Sequence, residues 1–83
     1  MPVGAWSPPV VVRAGKGGEV RWTVSDAAKA AELMLKHWPK RAPIGPANVK
    51  ARKTLLRCLE GKCYAQKARQ AFIEAAEEAG IRG

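Results

Sequence analysis

Cys58, Cys63 and His37 are the only cysteine or histidine side chains in this chain of 83 residues. A structural zinc site needs four ligands, and only three such groups are present, so a metal centre is not expected. A cysteine nucleophile would need His37 as its base, and nothing in the spacing brings the two together. The thiols are expected to pack as small buried hydrophobes, and His37 to sit at the edge of a helix core face. No pair of carboxylates is placed for acid/base work. "GKGG" at residues 15–18 falls in a hairpin turn instead of between a strand and a helix, so it is not a phosphate cradle. These absences predict no catalysis, no cofactor and no small-molecule ligand.

Cations are the richer resource. Fifteen Lys and Arg stand against seven Asp and Glu, a net charge of +8. From Lys36 to Arg69 there are ten basic residues, opposed only by Glu60. Such a field favours anionic partners, nucleic acid or an acidic protein surface. Lys50, Lys53 and Arg57 are spaced three and four apart and form one stripe of a helix, with Lys40 and Arg41 just upstream. Clustered Lys and Arg of this kind neutralise phosphates. Arg52 and Arg69 behave differently, because their helical positions fall on the flanks of apolar arcs. Each needs an internal carboxylate or carbonyl partner, for which Glu32 and Glu60 are candidates, or must reach out to water. Failing that, the two form a fork suited to an anion.

The elements that position these groups can be read from periodicity and punctuation. Residues 10–13 are a short β-branched run, residues 14–18 a glycine-rich turn, and residues 19–24 alternate. Val20, Trp22 and Val24 fall on one face, which predicts a strand buried on that side. Pro8 and Pro9 stop pairing upstream, leaving residues 1–8 as a flexible start. Ser25 is the expected N-cap of a first helix over residues 26–38, with Asp26 in its first turn. Ala27, Ala30, Ala31, Met34, Leu35 and Trp38 share its apolar side, and Glu32 and Lys36 are spaced for an i,i+4 ion pair. Pro39 ends the helix, and residues 39–45 form a proline-steered connector. Pro46 opens a second helix running to Glu60, with Gly61 as its stop. A third spans residues 63–79 and ends at Gly80 and Ile81.

On the second helix Ala47, Ala51, Leu55, Leu56, Cys58 and Leu59 form the apolar arc; on the third, Ala65, Ala68, Phe72, Ala75, Ala76 and Ala79 do. The turn between them suggests a helix-turn-helix, but Arg57, Glu60 and Lys62 occupy places where that motif wants small or apolar residues. The order is therefore ββααα, a single α+β domain over residues 1–83 in which three helices cover the apolar face of a β-hairpin. No apolar run reaches the roughly 20 residues of a membrane span. The N-terminus lacks the pattern of a signal peptide. Two cysteines without a disulfide framework fit a reducing cytoplasm.

"SPPVVV", "TVSDAAKAAELMLKHWP" and "CLEGKCYAQKARQAFIEAAEEAGI" together resemble domain-of-unknown-function family 982, small proteins of soil and root-nodule bacteria. The similarity runs from Trp6 to Ile81, most specifically through "LKHWP" and the run Ala68, Arg69, Ala71 and Phe72. The resemblance implies a compact α+β domain in a bacterial cytoplasm and no particular activity. The expected role is that of a small basic, non-catalytic interaction module. It self-associates as a homodimer through an unpaired strand edge or docks on a protein partner. The alternative is sequence-non-specific nucleic-acid binding through the basic stripe.

Overall fold

A run of three valines, Val10 to Val12, and the alternation of Val20, Trp22 and Val24 with polar residues build an antiparallel pair, β1 (Ala5–Ala14) and β2 (Val20–Asp26). The computed structural model describes residues 5–14, 20–38 and 44–82; of the turn expected at residues 14–18, Ala14 is instead the last residue of β1, and 15–18 lie outside the described residues. The register sets Val10 opposite Val24, Val12 opposite Trp22 and Ala14 opposite Val20. Upstream of Val10 it breaks and resumes only at Ala5 opposite Asp26. The break holds Pro8 and Pro9, which have no N–H to give a ladder. The prolines interrupt pairing without ending it, which corrects the expected stop. Of the start expected to be flexible, Ala5 to Pro8 lie within β1, and Trp6 is buried with its indole N–H donating to the Val24 carbonyl at 2.9 Å.

Burial along the β2 face is graded. Val24 is buried, Trp22 half-buried and Val20 52% exposed, although Ala14 opposite Val20 is buried. Val20 is thus not part of the expected buried face.

Asp26, not Ser25, caps the first helix, its carboxylate accepting from the Lys29 amide at 2.6 Å. Asp26 is still paired to Ala5, so the backbone stays extended one residue longer than the sequence suggests. The helix α1 (Ala27–Glu32) then widens into a π-helical turn at Leu33–His37 and ends at Trp38 in extended conformation. A π turn shifts the hydrogen bonds from i,i+4 to i,i+5 and re-aims the side chains beyond it. Met34 is buried, as expected, and so is Leu33, while Leu35, expected inside, is 70% exposed. Glu32 and Lys36 do not form the expected ion pair.

α2 (Pro46–Leu59) begins with proline at its first position, as expected. It stops at Gly61, whose φ of 77° suits glycine. The Gly61 amide returns to the Cys58 carbonyl at 3.0 Å and Lys62 to Arg57 at 2.8 Å, the paired bonds of a Schellman stop. α3 (Ala65–Ala79) starts two residues later than expected and ends in the same way at Gly80, with Ile81 bonded back to Ala76 at 2.9 Å. The chain then lies along the outer edge of β1. The Arg13 amide donates to the Ile81 carbonyl at 2.7 Å, and Val12 bridges Arg82 in antiparallel sense. That edge, expected to be open, is partly covered.

One core results. Phe72 sits at its centre with the Trp6 and Trp38 rings each 6.1 Å away, and Val12, Val24, Leu33 and Leu55 close around it. Trp22 packs on the same cluster. Ala68, Ala71, Ala75 and Ala76 are buried on α3 and leave room for close approach by Ala51 and Leu55 of α2. The architecture is the expected ββααα.

Candidate functional site

The outward side of α2 is where charge and exposed apolar surface meet. Lys50, Lys53 and Arg57 are all exposed, so the stripe inferred from their spacing exists on the folded surface. Lys40 and Arg41 lie outside the described residues. Asn48, Ala51, Leu55 and Cys58 point inward. Leu56 and Leu59, expected within the buried arc, are exposed, Leu56 by 59%. Their helical positions flank an arc that α3 covers only at its centre.

Leu56 has a counterpart across a groove. Ala31, Met34 and Leu35 from the first helix and Arg52, Leu55 and Leu56 from α2 line a recess of about 90 Å3. Small-molecule pockets run to roughly 300–1,000 Å3, so this one suits an inserted side chain and not a metabolite. Its lining is apolar except for Arg52. Arg52 is exposed and makes no ion pair with Glu32 or Glu60, the partners expected for it; Glu60 instead lies 3.8 Å from Lys62. Water is its alternative, which an arginine reaches by laying its stem along the apolar wall.

Arg69 does find a carbonyl. Its Nε donates to the Pro8 carbonyl at 2.8 Å, and Gln66 Nε2 donates to the Ser7 carbonyl at 2.8 Å. Both are structural: they tie α3 to the irregular stretch of β1, whose carbonyls lack ladder partners. Arg52 and Arg69 therefore do not form a common fork.

The carboxylates explain why the α2 face stays cationic. Glu78 reaches from α3 to the start of α2, accepting from the amides of Gly45 at 3.0 Å, Ala47 at 3.1 Å and Asn48 at 3.2 Å. It acts as a remote N-cap where no side chain of α2 serves. Nothing in the local sequence around Glu74, Glu77 and Glu78 marks this role. The available signal is the helix opening "GPAN", which has no Ser, Thr, Asp or Asn at its N-cap and so needs an acceptor from elsewhere. Asp26 caps α1, and Glu77 lies 3.6 Å from Arg82. These acids are occupied away from the α2 stripe.

Cys58 and Cys63 correct the expectation of free thiols: they are joined as a disulfide. The left-handed turn at Gly61 folds the chain back, bringing their Cα atoms to 4.8 Å although they are five residues apart. His37 meets neither. It stacks on Trp22 at 4.8 Å between ring centroids, and Lys29 Nζ lies 4.9 Å from the same indole ring. This is a packed role. No group of three His, Cys, Asp or Glu able to hold a metal occurs among the described residues, and no helix there is long and apolar enough to cross a membrane.

Residues 8–82 match the model of a family described as proteins of unknown function, DUF982, and the chain belongs to that family. No curated protein and no solved structure matches it.

Proposed function

We propose that this DUF982 protein is a non-catalytic docking module whose groove between the first helix and α2 receives an apolar side chain from an acidic protein partner. The observation that carries the reading is the pairing of exposed Leu35 and Leu56 across an apolar recess beside Arg52, Lys50, Lys53 and Arg57. Apolar anchors surrounded by charge are the ordinary anatomy of a protein interface. The fitting occupant is an amphipathic helix with a leucine stripe rimmed by Asp and Glu. A second copy fits this face less well, since each would bring the same cations to the contact. Self-association through the far edge of β2, which no strand among the described residues pairs with, is a separate route.

The exposed Lys50, Lys53 and Arg57 favour a second reading, non-specific nucleic-acid binding. The exposed leucines argue against it as the main role, because phosphates have no use for them. Titrating isotope-labelled protein with an acidic leucine-striped peptide, and separately with a duplex oligonucleotide, distinguishes the two. The docking reading expects amide shifts at Met34, Leu35, Arg52 and Leu56 with the peptide. Leu56→Asp should abolish these shifts while the fold remains. Shifts confined to the stripe with the oligonucleotide, fading steeply between about 50 and 200 mM salt, would favour the second reading. A dimer by light scattering with no peptide response would favour self-association.

A further inference from the structure

We propose that the Cys58–Cys63 bridge is a thiol–disulfide exchange site, entered at Cys63 by a small thiol or dithiol. The inference is independent of the docking reading. It begins with an asymmetry of access. Cys58 is 1% exposed, whereas Cys63 is half-buried and opens onto a shallow depression lined by Gly61, Lys62, Cys63 and the exposed Tyr64. Exchange needs a thiolate to reach one sulfur while the other leaves. Here the attacked sulfur is that of Cys63, and Cys58 is the leaving group. Lys62 beside the entry favours an anionic attacker, although Glu60 at 3.8 Å offsets part of its charge.

The turn also suits both redox states. Cys58 Sγ lies 3.4 Å from the Tyr64 carbonyl and Cys63 Sγ 3.6 Å from that of Thr54. As a disulfide these sulfurs carry no proton; once reduced, each thiol finds an acceptor already in place. The backbone of the turn is held separately, by the Schellman bonds of Gly61 and Lys62. The bridge closes a short loop, for which the chain-entropy gain of a disulfide is smallest. It is therefore a weak staple on a turn that stands without it.

In the exchange, a thiolate attacks Cys63 Sγ and forms a mixed disulfide, while the Cys58–Cys63 bond breaks and Cys58 leaves as a thiolate that takes a proton from water. A second thiol, or the second group of a dithiol, attacks the reductant's own sulfur and releases Cys63. The protein gains two electrons and two protons, and the two reductant thiols become a disulfide.

The test uses the full chain in dithiothreitol buffers of graded oxidised-to-reduced ratio, alkylated and weighed intact, with far-UV circular dichroism in parallel. The expected result is reversible passage from no alkyl groups to two, with the helical signal unchanged. In the reduced protein Cys63 should alkylate at least about tenfold faster than Cys58, since a buried thiol reacts only after local opening. Oxidised glutathione should add one glutathione to Cys58→Ser and none to folded Cys63→Ser. Two free thiols at every oxidant ratio overturn the proposal, as does a bridge reduced only when the helical signal is lost. Faster reaction at Cys58 overturns it too. Should either variant fail to fold, peptide mapping of the wild-type protein decides among these outcomes.

Discussion

Glu78 shows what one side chain contributes when it serves two helices. Its carboxylate satisfies three amides at the start of α2, and Gly45 leaves it the space: a Cβ there would lie 2.5 Å from Glu78 Oε2. Replacing Glu78 with Ala leaves those donors without a charged acceptor, and the expected cost is about 1–3 kcal/mol in urea unfolding. Gly45→Ala pushes the carboxylate away and should cost about 1–2 kcal/mol for the same lost bonds. Since both changes remove one interaction, their combination should fall short of the sum, with a coupling energy of about 0.5–2 kcal/mol. Additive losses would show that the cap is not shared. None of this is legible at Glu78 itself, whose neighbours look like a solvated tail. A long-range acceptor leaves no local spacing, only the missing cap at the other end. Lys50, Lys53 and Arg57 are legible because helical spacing alone places them on one stripe. Leu56 escapes the same logic for a related reason: periodicity says which residues share a side, not how wide a neighbour covers it.

At the scale of elements, starts and stops are written most plainly where one residue type has a unique backbone role. Pro46, Gly61 and Gly80 mark boundaries that the structure repeats, because proline suits the first helical position and glycine the left-handed one. The π turn at Leu33–His37 has no such marker, since no residue type is reserved for an i,i+5 bond, and within it Leu35, expected inside, is exposed. Gly80 offers a clean measurement. A Cβ there would meet nothing within 4 Å, so any penalty for Gly80→Ala comes from the φ of 71° alone. The expected loss is about 1–2 kcal/mol, read as a lower midpoint in urea at unchanged slope. A neutral result would mean the helix end relaxes freely, and that the contact of Ile81 and Arg82 with β1 does not hold it.

The whole molecule hangs on one interior. Trp6 and Trp38 flank Phe72, and Trp22 packs on the same cluster, so the three indoles report a single core contributed by the hairpin and the helices. Tryptophan fluorescence and far-UV circular dichroism should therefore lose their signals in coincident transitions on unfolding. Separated midpoints would show that the hairpin and the helices melt apart. This unity is readable from the sequence, because neither a two-stranded hairpin nor a thin helical layer is stable alone. The cationic face is readable in outline, but the groove is not, since it joins Leu35 to Leu56 through a displacement that only packing reveals. The reach of Glu78 back to Gly45 also bears on how the chain is made. Synthesis runs from the N-terminus, so α2 leaves the ribosome well before the carboxylate that completes its opening turn. Until residue 78 emerges, the nascent helix presents bare amides, and α2 can latch only after nearly all of α3 has been made.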